Sequence, residues 1–171
     1  DMFILLCQRV ESAEGVELIM KQRASFARNL AEKNRLGHPA IDFVYTTESG
    51  KQGRMYGLKA DYTLLFFYNP DCHTCIEVKN AMRNSLKLKE LVGNGKMKVL
   101  TIYPDEDLAL WRDRLNELSN TWINGYDKGQ VLTHEALYDL SAIPSFYLLD
   151  KNKKVLLKDA DWNEVMHFFE K

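Results

Sequence analysis

The sequence predicts an α/β protein, and three observations support that fold class. Residues 63–68 form a short, almost wholly apolar run, which is typical of a central strand covered on both faces. Segments with helical periodicity alternate with strand-like segments after this run. A hairpin signal precedes the run, and a second hairpin signal lies near the C-terminus. We therefore expect a sheet packed against helices.

The N-terminal part predicts one amphipathic helix from Ser12 to Leu36. Its apolar residues recur at three- and four-residue spacing, at Val16, Ile19, Met20, Phe26, Ala27, Leu30 and Ala31. Gly37 and Pro39 end this helix. We expect residues 1–37 to form a helical segment ahead of a main domain at residues 38–171.

The main domain opens with a predicted β-hairpin. Apolar residues alternate with polar ones over 41–45, and a polar, glycine-containing turn at 48–53 leads to Met55–Leu58. The central strand follows at Thr63–Tyr68. The other predicted elements are a helix at His73–Val92, a strand at Met97–Tyr103, a helix at Leu108–Leu118, a loop at 122–129, a short helix at His134–Leu140, strands at Ser145–Leu149 and Lys154–Leu157, and a helix at Asp161–Glu170.

Composition and charge exclude several classes of function. The chain has 23 Lys and Arg residues and 24 Asp and Glu residues, so its net charge produces no positive electrostatic field that would attract nucleic acid or an anionic membrane. No apolar run reaches the roughly 18 residues of a membrane span. The chain begins at Asp1, so a removed export signal or lipid anchor stays an open alternative. We expect membrane association only through such an anchor.

The three cysteines are too few for a disulfide scaffold. Cys7 follows the apolar residues 3–6, which favours a buried, inert thiol. A lipid-bearing Cys7 is the alternative, and the large Leu6 before it counts against that interpretation. The other two cysteines form the pair Cys72 and Cys75, two residues apart in a C-x-x-C motif.

This pair lies where the central strand leads into a helix. Cys72 should therefore lie beside the unpaired backbone N–H groups of the helix start, which favours its thiolate. A thiolate attacks disulfides, and a second thiol one turn away can resolve the mixed disulfide. We predict that Cys72 is the nucleophile and Cys75 the resolving thiol. His73 acts as a nearby cation or as an exposed spacer, whereas the carboxylate of Asp71 opposes a thiolate.

The two thiols have two alternative interpretations, as unreactive core cysteines or as half of a zinc site. Zinc normally takes four ligands, and no second C-x-x-C or H-x-x-H pair is present. We therefore predict no metal and no other cofactor.

Two motifs resemble a known family. Residues 68–75 (YNPDCHTC), after an apolar strand, and residues 142–146 (AIPSF), before one, resemble the two signature elements of thioredoxin-fold oxidoreductases. The resemblance covers about Pro39 to Lys171 and implies a three-layer α/β/α fold with a central mixed sheet. It also implies a cis Pro144, with Ile143 lining the groove that pairs with the substrate backbone. We expect His73 and Thr74 to contact substrate as well.

The leading hairpin and the long stretch at 122–140 resemble the TlpA/ResA-type subgroup of cell-envelope proteins. This resemblance implies a periplasmic or lipid-anchored protein of a Gram-negative bacterium, with a helical segment ahead of the thioredoxin-like domain. Three features depart from the family pattern. Asp71 replaces the usual aromatic residue, no proline lies between the two cysteines, and Phe66 replaces a buried acid that accepts the proton of the resolving thiol. Glu77 is either a substitute acceptor or an exposed surface carboxylate.

These features predict a thiol-disulfide oxidoreductase that reduces protein disulfides through Cys72 and Cys75. Its partners would be a protein disulfide and an upstream thiol that supplies electrons. One alternative is a disulfide oxidase or isomerase, which uses the same residues in the opposite direction. Another is a non-catalytic binding module, against which the presence of both thiols and Pro144 argues.

Overall fold

The computed structural model describes residues 2–170, which form seven α-helices and seven β-strands. The helices are α1 (Met2–Ser12), α2 (Leu18–Glu32), α3 (His73–Asn84), α4 (Leu86–Gly93), α5 (Leu108–Asp113), α6 (Val131–His134) and α7 (Trp162–Phe168). The strands are β1 (Val44–Thr47), β2 (Gln52–Arg54), β3 (Tyr62–Phe67), β4 (Met97–Tyr103), β5 (Ile123–Tyr126), β6 (Ser145–Asp150) and β7 (Val155–Ala160).

The strands form a single mixed sheet in the order β2-β1-β5-β4-β3-β6-β7. Strands β3, β4 and β5 run parallel, whereas the other neighbouring pairs are antiparallel. The predicted α/β fold with a central mixed sheet is therefore confirmed, and so is the hairpin at its leading edge, formed by β1 and β2.

Strand β3 separates two hydrophobic cores. Leu64 and Phe66 pack in the core beneath α3, α4 and α7. Leu65 and Phe67 point to the opposite side, where they join Phe43 and other buried residues. This alternation follows from the two-residue period of a strand, and it explains why β3 is apolar along most of its length.

The N-terminal segment differs from its prediction. The helix predicted from Ser12 to Leu36 spans Leu18–Glu32 as α2, and a separate helix, α1, precedes it. A turn that contains Gly15, at φ 75°, joins α1 to α2. The guanidinium of Arg28 on α2 donates to both carboxylate oxygens of Glu11 on α1, at 2.8 and 3.1 Å. The hydrophobic period continues through the turn, so periodicity alone did not reveal the break.

Segment 36–39 connects these helices to the sheet through bridges with β7. Leu36 pairs with Val155, and Pro39 pairs with Lys154. The division into residues 1–37 and 38–171 stays a prediction, and its outermost residues, 1 and 171, lie outside the described residues.

The predicted helix from His73 to Val92 is also two helices, α3 and α4. Ser85 lies between them with extended backbone angles, at φ −65° and ψ 115°. Its hydroxyl accepts a hydrogen bond from the backbone N–H of Leu88 at 3.2 Å, so Ser85 caps the start of α4. Serine is a preferred residue at this position, and the break was therefore readable from the sequence.

Strand β5 lies within 122–129, which the sequence predicted to be a loop. It inserts between β1 and β4, and the ring of Tyr45 on β1 lies directly against Gly125. A Cβ at Gly125 would come within 2.9 Å of Tyr45 Cδ2. The glycine that resembled a turn signal is thus required by close packing within the sheet.

Two shorter predictions were also wrong. Met55–Gly57 is a 3₁₀ turn rather than a strand. The short helix expected at His134–Leu140 begins earlier, as α6, because the carboxylate of Asp127 accepts a hydrogen bond from Leu132 N at 2.7 Å. It ends earlier because Ala136 adopts a left-handed conformation, at φ 45°.

Candidate redox site

Cys72 is positioned at the start of α3, immediately after the turn that follows β3. Its own backbone N–H donates to the carbonyl of Asn69 at 3.1 Å, and its carbonyl accepts from Ile76 N at 3.0 Å. The backbone N–H of Cys75 donates to Cys72 Sγ at 3.3 Å. An N–H group directed at a sulfur at a helix start stabilises negative charge on that sulfur.

Cys75 lies one turn further along α3 and is buried, with 1% of its surface exposed. Burial raises the pKa of the Cys75 thiol to about 12, and its hydrogen bond with Cys72 contributes to the increase. Cys72, by contrast, is only half-buried, and both thiols are free in the structure. The two sulfurs therefore differ in the way that an attacking and a resolving thiol must differ.

The segment at Ile143 and Pro144 lies against this pair. The thiol of Cys72 is 3.9 Å from the carbonyl oxygen of Ile143, and the Ile143–Pro144 peptide bond is cis. The next residue, Ser145, begins β6 and pairs with Phe67 at the end of β3. The sheet thus brings together Cys72, Cys75 and Ile143, although about 70 residues of sequence separate the last two.

His73 and Thr74 occupy the outer surface of the first turn of α3. Both residues are exposed, and the exposed fraction of the His73 side chain is 86%. His73 Nδ1 lies 3.8 Å from Glu77 Oε2, and the Glu77 side chain is 65% exposed. Glu77 is therefore a surface carboxylate, the second of the two interpretations that the sequence allowed.

Phe66 occupies the position where the family has a buried acid. Its ring is fully buried and stacks between Tyr68, at 5.2 Å, and Phe146, at 4.8 Å. Tyr68 is also buried, and burial raises the pKa of its hydroxyl above the usual range, with a smaller contribution from the nearby Cys75. The surroundings of Cys75 are therefore aromatic rather than acidic.

The sequence analysis missed one buried ion pair near the site. Lys79 lies one turn after Cys75 on the same face of α3, is 4% exposed, and forms a salt bridge with Glu117. Hydrogen bonds from Lys79 and then Arg114 lower the pKa of Glu117. Lys79 follows Cys75 by four residues and therefore lies on the same buried face of the helix, so its burial could have been predicted. Nothing in the sequence indicated Glu117 as its partner.

Acidic residues form a rim on the surface next to Asn69, the residue whose carbonyl accepts from Cys72 N. Asp71 is exposed and precedes the nucleophile directly, and its N–H donates to Asn69 Oδ1 at 2.9 Å. The side chain of Asn69 in turn donates to Asp105 at 2.7 Å. Exposed carboxylates at Asp105, Glu106 and Asp107 extend this acidic rim.

Cys7 lies on α1 and is 6% exposed, so the predicted burial of this thiol is confirmed.

Within residues 2–170, no three His, Cys, Asp or Glu side chains are grouped as metal ligands. The helices in this described part of the chain are all too short or too polar to cross a membrane.

Comparison with known proteins identifies relatives among curated sequences and among solved structures. The ResA thiol-disulfide oxidoreductases of Bacillus thuringiensis and Bacillus anthracis are each 28% identical over 127 residues, which is 73% of this chain and 69% of each relative. The crystal structure of a thioredoxin-like protein from Bacteroides caccae has a TM-score of 0.92 and is 44% identical. That match covers 98% of this chain but 60% of the Bacteroides caccae chain, so this chain spans less than two thirds of that relative.

A second crystal structure covers the sheet-containing part of the fold. It is the C-terminal domain of an uncharacterised protein from Bacteroides fragilis, with a TM-score of 0.78 and 47% identity. The match covers 81% of this chain and 99% of that domain. No family model matches the chain.

Proposed function

We propose that this chain, which is a TlpA/ResA-like member of the thioredoxin-fold proteins, reduces protein disulfides through Cys72 and Cys75. The observation that carries the proposal is the asymmetry of the two thiols. Cys72 is accessible and its sulfur accepts a backbone N–H, whereas Cys75 is buried with a pKa of about 12. This asymmetry supports attack by Cys72 and resolution by Cys75.

In the first step, the Cys72 thiolate attacks one sulfur of a substrate disulfide. The substrate S–S bond breaks, a Cys72–substrate disulfide forms, and the other substrate sulfur leaves as a thiolate that takes a proton from water. The backbone N–H of Cys75 stabilises the charge on Cys72 before the attack.

In the second step, Cys75 attacks Cys72 Sγ, the mixed disulfide breaks, and a Cys72–Cys75 disulfide forms. The substrate has then gained two electrons, and its second sulfur leaves as a thiolate. Phe66 offers no acid or base, so we propose that the proton of Cys75 passes to this leaving thiolate. An upstream thiol donor must return two electrons to the pair before the next cycle.

The geometry also supports a role for Ile143 in substrate binding. An extended substrate segment that pairs with the Ile143 backbone would carry its cysteine to Cys72, because Ile143 O lies 3.9 Å from Cys72 Sγ. Pro144 would shape this groove, and the exposed His73 and Thr74 would contact substrate on the other side of the nucleophile. The acidic rim would favour neutral or basic substrate surfaces.

The proposal includes a location in the cell envelope of a Gram-negative bacterium, either periplasmic or lipid-anchored. Protein disulfides persist in oxidising compartments rather than in the cytosol, so a protein-disulfide reductase has its substrates there. Fractionation of cells that express the chain from its native gene tests this location, and recovery in the cytosolic fraction contradicts it.

A trapping experiment tests the two roles. The reduced Cys75→Ser variant should accumulate a mixed disulfide with insulin through Cys72, because the thiol that resolves it is absent. Cys72→Ser should form no such adduct, and Cys7→Ser should behave as wild type because Cys7 is buried away from the pair. Full turnover by Cys75→Ser, or an adduct on Cys75 in Cys72→Ser, would overturn the assignment.

A further inference from the structure

Asp159 on β7 contacts the segment that carries Ile143, although it belongs to a different strand. Its carboxylate accepts a hydrogen bond at 2.8 Å from the hydroxyl of Ser145, which lies two residues after Ile143. The two exchange steps described above use neither Asp159 nor Ser145. The hydrogen bond between them therefore calls for its own explanation.

Asp159 lies in a β-bulge at the end of β7. The ladder pairs on either side of this bulge are Leu148 with Leu157 and Phe146 with Ala160. Two residues of β7 thus lie opposite one residue of β6, and Asp159 is one of the two. Its backbone is left-handed, at φ 49°, which is uncommon for a residue other than glycine. Bulges and left-handed residues often redirect a side chain beside a functional site.

The sheet ladder holds Ser145 from one side. Ser145 pairs with Phe67 at the end of β3, whereas the ladder between β6 and β7 begins one residue later, at Phe146. Ser145 is 1% exposed, so its buried hydroxyl requires a partner within the protein. The bond to Asp159 supplies this partner and connects Ser145 to β7 where the ladder does not.

A second serine is held on the other side of Ile143. Ser141 donates its backbone N–H and its hydroxyl to the carboxylate of Asp139, at 3.1 and 2.6 Å. The backbone N–H of Asp139 donates in turn to the hydroxyl of Tyr147 on β6, at 3.3 Å. The segment before Ile143 is thus fixed by a residue two positions away from Ser141, whereas the segment after it is fixed from the neighbouring strand.

The position of Ile143 decides how an extended substrate meets the nucleophile. The carbonyl oxygen of Ile143 lies 3.9 Å from Cys72 Sγ. A substrate segment that pairs with the Ile143 backbone brings its own cysteine to Cys72 only while Ile143 keeps this position. A small disulfide without a peptide backbone needs Cys72 alone.

We propose that Asp159 is a positioning residue for disulfide reduction, which holds the Ile143 backbone through Ser145 in the place where an extended substrate pairs with it. This inference rests on the proposed function. It assigns the site a preference for substrates whose disulfide lies in an extended, accessible segment. Loss of the hydrogen bond should weaken binding of such a segment and leave the reactivity of Cys72 itself unchanged.

The test uses the reduced full chain and two substrates. The first is a short extended peptide whose single cysteine is linked by a disulfide to nitrothiobenzoate, and the release of nitrothiobenzoate is measured by absorbance. The dependence of the rate on peptide concentration gives a maximal rate and a half-saturating concentration. The second substrate is the small bis-nitrothiobenzoate disulfide, whose rate reports on Cys72 alone and shows that each variant is folded.

Asp159→Gly removes the carboxylate, and glycine adopts the left-handed backbone without strain. This variant should raise the half-saturating peptide concentration about tenfold, the effect of about one hydrogen bond to a charged group, and leave the maximal rate unchanged. Ser145→Ala should have the same effect. The double variant should show no further increase, because both substitutions remove the same bond.

Asp159→Asn is the matched control. Its amide oxygen accepts the same hydrogen bond from Ser145, and asparagine tolerates the left-handed backbone. This variant should therefore behave as wild type with the peptide. All variants should react with the small disulfide at the wild-type rate.

The inference is wrong if Asp159→Gly and Ser145→Ala keep the wild-type half-saturating concentration, or if they slow both substrates equally. It is also wrong if Asp159→Asn is impaired as much as Asp159→Gly. A wild-type chain that reacts with neither substrate would instead overturn the proposed function, and this inference with it.

Discussion

The reactivity of Cys75 depends on its burial, and a variant with a single thiol can measure that dependence. Replacing Cys7 and Cys72 by serine leaves Cys75 as the one cysteine of the chain. In the dithiol protein, the pKa of Cys75 rises from 9.0 to about 12, with burial as the largest cause. A rise of this size lowers the thiolate fraction near neutral pH by about 1000-fold. Serine removes the contribution of the Cys72 thiol, so the pKa of Cys75 in the variant should lie between these two values.

The sign of the effect on stability follows from the same increase in pKa. The protonated thiol is favoured in the folded state, so its contribution to stability is fully present below the unfolded pKa of 9.0. It is lost as the pH rises from there through about 12, the folded value in the dithiol protein. The loss would be at most about 4 kcal/mol.

The assay is carboxamidomethylation of Cys75 as a function of pH. In the folded variant, the logarithm of the rate should increase linearly with pH, about tenfold per pH unit, with no plateau up to pH 9.0. The same variant unfolded in urea is the control and should level off near the ordinary thiol pKa. A plateau below pH 9 in the folded protein would refute the argument that burial holds Cys75 protonated.

Two further predictions concern burial and packing outside the redox pair. In a Cys72→Ser, Cys75→Ser variant, Cys7 should react with a thiol reagent at least about 100-fold more slowly in the folded protein than in urea, and comparable rates would contradict its 6% exposure. Gly125→Ala should lower the free energy of unfolding by about 1–3 kcal/mol, measured by urea titration, because its Cβ would come within 2.9 Å of Tyr45. Gly57→Ala, which meets nothing within 4 Å, is the matched control, and equal stabilities would refute the packing argument.

The parts of the fold that the sequence predicted well have strong local signals. Strand β3 has apolar residues on both faces because it separates two cores, so an almost wholly apolar run was sufficient to identify it. Likewise, Asp161 was correctly taken as the start of the last helix, where it forms a capping box with Glu164.

The errors arose where tertiary contacts decide local structure. Gly125 has the local appearance of a turn residue. A glycine is required within β5 because the ring of Tyr45 lies against it, from a strand that is distant in sequence. The break between α1 and α2 was hidden because hydrophobic residues continue through the turn at Gly15. Ser85 is a different case. Its preference for the first position of a helix was visible in the sequence, but the prediction followed the apolar periodicity that continues across the break.

The site was predictable in its chemistry but not in its full extent. The spacing of Cys72 and Cys75 at a strand-to-helix junction was enough to predict a nucleophile at the helix start. The burial of Lys79 with Glu117 was missed, because the two residues are far apart in sequence and meet only through packing.

The equilibrium reduction potential of the Cys72–Cys75 pair tests the central claim most directly. The full chain is equilibrated against defined ratios of reduced to oxidised dithiothreitol or glutathione, and the fraction of the Cys72–Cys75 disulfide is measured by mass spectrometry after acid quenching and alkylation. A reductase of protein disulfides should have a potential near that of thioredoxin, about −270 mV. A value near about −120 mV, where strong disulfide oxidants lie, would contradict the account and favour an oxidase.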